Sequence, residues 1–363
     1  MNDDLVLLKG NEAIAHAAIR CGCDGYFGYP ITPQSEVLET LSVLKPWETS
    51  GMVVLQAESE VAAVNMLYGG GGTGKRVMTS SSSPGIALMQ EGISYMTITE
   101  IPVLIVNVQR GGPGLGTIQP SQADYKQATV GGGNGDYNVI VLAPSSVQEM
   151  ADFVDLSFNL AFKWRTPVMM LSDGVIGQMM EPCRLAPQRP RRSEEEIAKE
   201  CPWAANGIGL RHRKPNILTS LEMEAVEMER RNLALQEKYL KIKEEEVRYD
   251  TYLTEDAEYG IVAFGSVARI AMEVCDKLRP KYKVGLLRPI TLWPFPDRAL
   301  RKFARTLRGI TVAEMNAGQM IDDVRLALGY DLPIVHYGRI GGVVPSPQEI
   351  AEFVAGQIDA LKG

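Results

Sequence analysis

Glu58 and Glu60 are carboxylates whose position admits chemistry, although on the residues alone a first-turn structural role explains them. They open QAESEVAAVNMLYGG (56–70), a stretch that is otherwise small and apolar and reads as a helix. Acidic residues are expected in a first helical turn, where they meet the positive end of the helix dipole. A carboxyl among apolar neighbours can also hold or share a proton at a bound ligand. Arg110 is the next candidate. It follows the strand-like PVLIVNV (102–108) and opens RGGPGLG (110–116), and open α/β sheets place ligands at the carboxyl ends of their strands. Its forked donors match a carboxylate. Thr32, in YPITP (29–33), lies between two prolines that stiffen the turn. It is placed to cap the helix that follows, and its hydroxyl can also face a ligand cleft. The serines of TSSSSPG (79–85) leave a strand and enter a helix. They are expected to satisfy free helix N–H groups and to make a helix start that favours anions.

Two glycine-rich segments imitate nucleotide-binding motifs. GGGGTGKR (69–76) nearly matches the phosphate-cradling pattern, but Arg76 stands where a Ser or Thr should be. Its glycines also end a helix and precede a strand, the reverse of a phosphate loop. It reads as a helix-to-strand turn without ATPase activity. GGPGLG (111–116) has Thr117 where a third glycine would complete a dinucleotide fingerprint, so it reads as a strand-end loop.

The elements that must hold these residues alternate. Apolar runs at 26–30, 52–56, 76–81, 102–108, 138–144 and 166–172 are separated by helical patterns such as 34–44, 59–70 and 145–164. That pattern predicts a parallel sheet covered on both faces. Residues 181–215 are rich in Pro, Arg and Glu and read as an extended connection. Residues 219–248 form a long charged helical stretch with few apolar positions, suited to the surface or to bridging subunits. Alternation resumes with strands expected at 260–266, 283–289, 309–315 and 332–337, and helices at 267–279, 297–307, 317–328 and 347–361.

Composition sets the bounds. The 363 residues carry a formal net charge of −7, which argues against nucleic-acid binding. The basic runs RPRR (189–192) and RHRK (211–214) read as solvated linker. No apolar run reaches the roughly 20 residues of a membrane helix, and MNDDLVLLKG is no signal peptide, so a cytoplasmic protein is expected. The five cysteines (Cys21, Cys23, Cys183, Cys201, Cys275) include no CxxC. No metal site and no iron–sulfur cluster is expected on this chain.

Glu60, Gly69 nine residues on, and the Thr79–Pro84–Gly85 loop resemble the pyrimidine-binding domain of thiamine-diphosphate enzymes. GYPITPQSE (28–36), SSSPGIALMQEGISYM (82–96), RGGPGLGTIQPSQADY (110–125) and LSDGVIGQMMEP (171–182) resemble the alpha subunits of 2-oxoacid:ferredoxin oxidoreductases. The branched-chain (2-oxoisovalerate) type is most similar and the 2-oxoglutarate type next.

The resemblance implies an α/β fold of two parallel-sheet domains: a thiamine pyrimidine-binding domain (1–184), a linker with the charged helix (185–250) and a transketolase C-terminal-like domain (251–363). It implies that Glu60 hydrogen-bonds N1′ of the aminopyrimidine, and the spacing to Gly69 selects it over Glu58. It also implies that Pro30, Ile31, Ser82 and Ser83 line the cofactor, and that Thr32 and Arg110 hold the substrate's carbonyl and carboxylate. The chain has SDG (172–174) and GDYN (135–138) but no GDG. Magnesium and the diphosphate are therefore expected on a separate beta chain, with gamma and ferredoxin-like delta subunits carrying [4Fe–4S] clusters, coenzyme A as co-substrate and ferredoxin as acceptor. Three other readings stay open: a 2-oxoglutarate-specific homologue, a non-oxidative two-chain thiamine enzyme, and a non-catalytic regulatory subunit.

Overall fold

The computed structural model describes residues 5–207 and 215–362. The run RHRK (211–214) lies outside them. The first half comprises β1 (Leu5–Lys9), α1 (Gly10–Arg20), β2 (Gly25–Gly28), α2 (Ser35–Leu44), the short α3 (Pro46–Thr49), β3 (Val53–Gln56), α4 (Glu60–Gly72), β4 (Val77–Ser81), α5 (Ser83–Ile98), β5 (Leu104–Gln109), α6 (Tyr125–Thr129), β6 (Ile140–Leu142), α7 (Val147–Trp164) and β7 (Val168–Asp173). A middle section follows: α8 (Gly174–Gln178), β8 (Met180–Arg184), α9 (Glu194–Glu200) and α10 (Ala225–Glu245). The last part holds β9 (Tyr249–Tyr252), β10 (Tyr259–Val262), α11 (Gly265–Leu278), β11 (Val284–Pro289), β12 (Thr291–Trp293), α12 (Asp297–Ala304), β13 (Ile310–Glu314), α13 (Met320–Leu328), β14 (Ile334–Gly338) and α14 (Pro347–Lys362).

Among the described residues the larger sheet has the order β12-β6-β7-β5-β4-β2-β3 and the smaller one β14-β13-β10-β11-β9. Both are parallel except at one edge: β12 runs antiparallel to β6, and β9 to β11. β5 and β7 are buried at every position, as expected of central strands covered on both faces. Each fully buried Val, Leu or Ile there contributes about 1.5–3 kcal/mol.

Three local readings change. The sheets are interlocked, because β12 comes from the C-terminal part but completes the first sheet. The stretch 181–215 is more than an extended connection: β8 pairs antiparallel with β1, and α9 starts at a capping box on Ser193. RPRR (189–192) is no solvated linker either. Arg189 pairs with Asp155, Arg191 Nε donates to Ser50 O (2.8 Å), and Arg192 Nη2 donates to Gly74 O (2.8 Å) while its guanidinium lies over the Phe162 ring. Planar guanidiniums that reach carbonyls and ring faces fasten a chain without a hydrophobic core of their own.

The charged helix α10 lies on the surface through a narrow stripe of buried Leu235, Tyr239 and Ile242. Tyr239 meets Trp293 of β12 edge to face at 5.4 Å. The glycines of GGGGTGKR divide as expected: Gly69–Gly72 finish α4, and Gly74 takes a left-handed turn (φ 82°) before β4.

Candidate active site

Four neighbouring strands, β5, β4, β2 and β3, end at the same edge of the larger sheet. Their carboxyl ends deliver Arg110, Ser82, the 29–34 turn and Glu60 to one place, where a doubly covered sheet accepts ligands.

Glu60 is the first residue of α4 and is buried, whereas Glu58 is exposed. Ser59 caps the helix by accepting from Ala62 N–H (3.1 Å), so the Glu60 carboxylate has no capping duty. Among the described residues it makes no hydrogen bond or ion pair. It lies against the first turn of α5 at Gly85. A Cβ there would stand 2.8 Å from Glu60 Oε1 and 2.1 Å from Ser81 Oγ. Farther along the two helices, a Cβ on Gly92 would stand 2.5 Å from Val64 Cγ2, so α4 and α5 pack closely along their contact.

The serines do not cap α5. Ser82 occupies the N-cap with extended backbone, but its carbonyl, not its hydroxyl, takes the Gly85 N–H (2.7 Å). The hydroxyls of Thr79, Ser81 and Ser82 are buried without a partner. A buried unsatisfied polar group costs about 1–3 kcal/mol. The unpaired Ser81 hydroxyl and the free Glu60 carboxylate both border the space that a Cβ on Gly85 would fill, which suits a flat polar ring that supplies donors and acceptors. The residues present therefore fit the aminopyrimidine that the resemblance places here.

Thr32 does not cap α2. The Ile31–Gln34 turn, closed by Gln34 N–H to Ile31 O (3.1 Å), intervenes and moves the N-cap to Gln34. Thr32 is exposed, as is Pro30, and Ile31 is half-buried. The turn is held from below: Asn11 Nδ2 (2.6 Å) and Gln178 Nε2 (3.0 Å) both donate to Pro33 O.

Arg110 is buried and straps two loops together. Nη1 donates to Thr32 O (2.9 Å) and Nη2 to Leu115 O (2.9 Å), while Nε is buried without a partner. The Ser83 hydroxyl is already engaged, with Asp124 Oδ2 at 2.5 Å and the Arg110 backbone N–H at 3.1 Å.

Sequence reasoning did not find Asn107, Asp124 or Gln122, which tie these loops down. Polar residues inside the apolar run 102–108 and after the glycine loop were the available signal. Asn107 Nδ2 donates to Asp124 Oδ2 (2.9 Å). Gln122 is buried and reaches the C-terminal part: its N–H donates to Met315 O (3.0 Å) and its Nε2 to Phe264 O (2.8 Å). Asp173, of the SDG stretch, is also consumed by structure. It caps α8 through Val175 N–H (3.0 Å) and accepts from Ser266 Oγ (2.7 Å) at the start of α11. Burial raises its carboxyl above the ordinary range, and the hydrogen bonds from Ser266, Ile176 and Val175 oppose that.

All five cysteines are buried and free. Burial pushes the Cys21 thiol up to about 12, which makes it unreactive. Among the described residues no helix is long and apolar enough to cross a membrane.

Two family profiles match the chain. The one described as pyruvate flavodoxin/ferredoxin oxidoreductase, thiamine diphosphate-binding, covers residues 16–249, and the pyruvate:ferredoxin oxidoreductase core domain II covers residues 257–350. The ketoisovalerate oxidoreductase subunit VorB of Methanothermobacter marburgensis is 48% identical over 93% of each chain. The 2-oxoglutarate synthase subunit KorA of Archaeoglobus fulgidus is 35% identical over 98% of this chain and 100% of its own. Among solved structures, the 2-oxoglutarate:ferredoxin oxidoreductase of Magnetococcus marinus, with 2-oxoglutarate, coenzyme A and succinyl-CoA bound, superposes with a TM-score of 0.84 at 26% identity. The match covers 98% of this chain and 66% of that longer one.

Proposed function

Because this chain belongs to the 2-oxoacid:ferredoxin oxidoreductase family, we propose that its complex oxidatively decarboxylates 2-oxoisovalerate to an acyl-CoA and CO2 and passes the electrons to ferredoxin. The chain is a thiamine-diphosphate-binding subunit of an oxidoreductase. The higher identity to the ketoisovalerate enzyme than to 2-oxoglutarate synthase supports the substrate.

The observation that carries the catalytic reading is the buried Glu60 carboxylate, which has no partner among the described residues and is cradled by Gly85. Thiamine diphosphate, when bound, supplies the electron sink that lets a 2-oxoacid lose CO2. Glu60 would hold a proton at N1′ of the aminopyrimidine, and the unpaired hydroxyls of Ser81 and Ser82 would supply donors and acceptors to the cofactor. Pro30 and Ile31 form the rim. Ser83 serves by bracing Arg110 rather than by touching the cofactor. Arg110 keeps unused N–H donors for the substrate carboxylate, and Thr32, exposed at the mouth, holds the carbonyl oxygen.

A beta chain holds magnesium and the diphosphate; Asp173, already bonded by Ser266 and the α8 backbone, is not free for that task. This beta chain covers the α4–α5 face beside Glu60, where Val61 and Leu88 are exposed. Gamma and delta subunits carry the [4Fe–4S] clusters, and the assembly works in the cytoplasm. Units 1–184 and 251–363, joined by 185–250, are the working division of the chain.

The test uses the anaerobically isolated complex, with coenzyme-A-dependent viologen reduction by 2-oxoisovalerate, 2-oxoglutarate and pyruvate in parallel. The fastest rate is expected with 2-oxoisovalerate. Glu60→Gln should lower it by about 10²-fold or more, the usual scale of a lost proton-transfer group, with the complex still assembled. Normal turnover in that variant removes the catalytic role; a preference for another oxoacid removes the substrate.

A further inference from the structure

The loops of the site converge on Asp124. It stands at the N-cap of α6, where an Asp ordinarily accepts a bond from the helix N–H groups, and it makes no such bond. Its carboxylate is turned to other partners. Ser83 Oγ lies 2.5 Å from Asp124 Oδ2. A hydroxyl has one proton, so Ser83 donates to the carboxylate and accepts from Arg110 N–H at 3.1 Å. Asn107 Nδ2 gives the same carboxylate oxygen a second bond at 2.9 Å. The Asp124 N–H is held by Gln109 Oε1 at 3.0 Å. One side chain thus ties the first turn of α5 to the end of β5 and to the backbone of Arg110.

The seat of Asp124 is set from the C-terminal part. Gln319 donates through Nε2 to Ala123 O (2.6 Å) and accepts from Lys126 N–H (2.8 Å), so it grips the chain on both sides of Asp124. Asn316 Nδ2 donates to Gln122 O (2.8 Å). Farther along the same loop, Gly111 and Gly341 approach so closely that a Cβ on Gly111 would stand 2.8 Å from the Gly341 carbonyl carbon.

We propose that Asp124 is a positioning residue: through Ser83 it sets the place of Arg110 and of the α5 start, and it transmits to them the seating of the C-terminal part. The substrate side of this inference rests on the function proposed above. A local rule broken at one helix cap, with the carboxylate spent on the site instead, is the pattern expected where function overrides local preference.

The test compares Asp124→Ala, Asp124→Asn, Ser83→Ala and the Asp124→Ala/Ser83→Ala double variant in the assembled complex. Asp124→Ala should raise KM for the 2-oxoacid about tenfold, within the range that an ångström-scale misplacement costs, with a much smaller change in kcat. Bound thiamine, measured as thiochrome after denaturation, should fall by less than KM rises, because Glu60 and Ser81 lie outside the segment that Asp124 holds. Ser83→Ala should match it, and the double variant should be no worse than either single change, because both break one path. Asp124→Asn should recover most of the loss, since its amide oxygen still accepts from Ser83.

Amide hydrogen exchange needs no turnover and decides independently. Residues 82–86 and 110–112 should exchange faster in Asp124→Ala and return toward wild type in Asp124→Asn. Wild-type KM and exchange in Asp124→Ala, additive losses in the double variant, or an Asn variant as impaired as Ala would each overturn the proposal. Where Asp124→Ala fails to assemble, unchanged KM and exchange in Ser83→Ala overturn it equally. Altered exchange beside a fully active Glu60→Gln would instead remove the catalytic reading and leave the positioning role standing.

Discussion

At the residue scale, a missing methyl group shapes the site as much as the carboxylate does. Gly85 has ordinary helical backbone, so its value lies in space. A side chain there meets Ser81 Oγ and Glu60 Oε1 well inside contact distance. Gly85→Ala should therefore weaken thiamine retention at least about tenfold, a loss of roughly 1.4 kcal/mol, and should also cost about 1–3 kcal/mol of stability, because the added Cβ must displace the buried Ser81 and Glu60 side chains. Dialysis of the complex followed by thiochrome assay measures it; wild-type retention would show that Gly85 does not shape the cradle. The unpaired hydroxyl of Ser81, beside the same Cβ position, makes the same point from the polar side. Serines before a helix are ordinarily caps, and here the backbone carbonyl of Ser82 does the capping.

At the scale of elements, Asp173 joins two helix starts. One carboxylate caps α8 and accepts from Ser266 at the start of α11, so the C-terminal part is pinned to the end of β7. Burial raises its folded-state pKa above the unfolded value of about 3.9. The sign follows from proton uptake: the folded state binds the proton more tightly. The stability that this group contributes is present in full below the unfolded value and is lost as pH rises through the folded one. Asp173→Asn removes that titration. The substitution should cost about 1–3 kcal/mol through poorly matched donors, and the difference in Tm from wild type should be smaller at pH 7.5 than at pH 4.5. A difference that grows with pH would contradict the assignment.

At the scale of the whole molecule, the exposed apolar surface is where the proposed partner chain would dock. β3 is an edge strand with Val53 and Leu55 44% and 47% exposed, and on the packed pair α4 and α5 Val61 is 48% and Leu88 57% exposed. Unpaired apolar edges favour association. Leu88→Asp should leave the isolated chain's stability within about 0.5 kcal/mol, as for most surface changes, and weaken assembly with the proposed beta chain at least about tenfold. Native mass spectrometry of the co-expressed chains reads this; an intact complex at wild-type yield would place the interface elsewhere. The interlocking of the two sheets through β12 also means that truncating the C-terminal part removes an edge strand from the first sheet as well as the clamp on Asp124.

The sequence by itself determined the alternation of strands and helices, because periods of 2 and 3.6 are local and survive in any environment. The order Glu60, Gly69, Thr79–Pro84–Gly85 and RGGPG was legible for the same reason: it is a spacing along the chain. Only the tertiary structure decided what those residues touch. It showed Arg110 as a strap between Thr32 and Leu115, RPRR as a set of fasteners, and the serines as hydroxyls without partners. It also placed β12 in the other sheet, put Gln122 and Asp173 between the two halves of the chain, and turned Asp124 toward Ser83 and Asn107. Polar pairing across such sequence distances has no period and no local signature. It depends on which side chains the packed sheets leave facing each other, and a single chain read in order cannot express that.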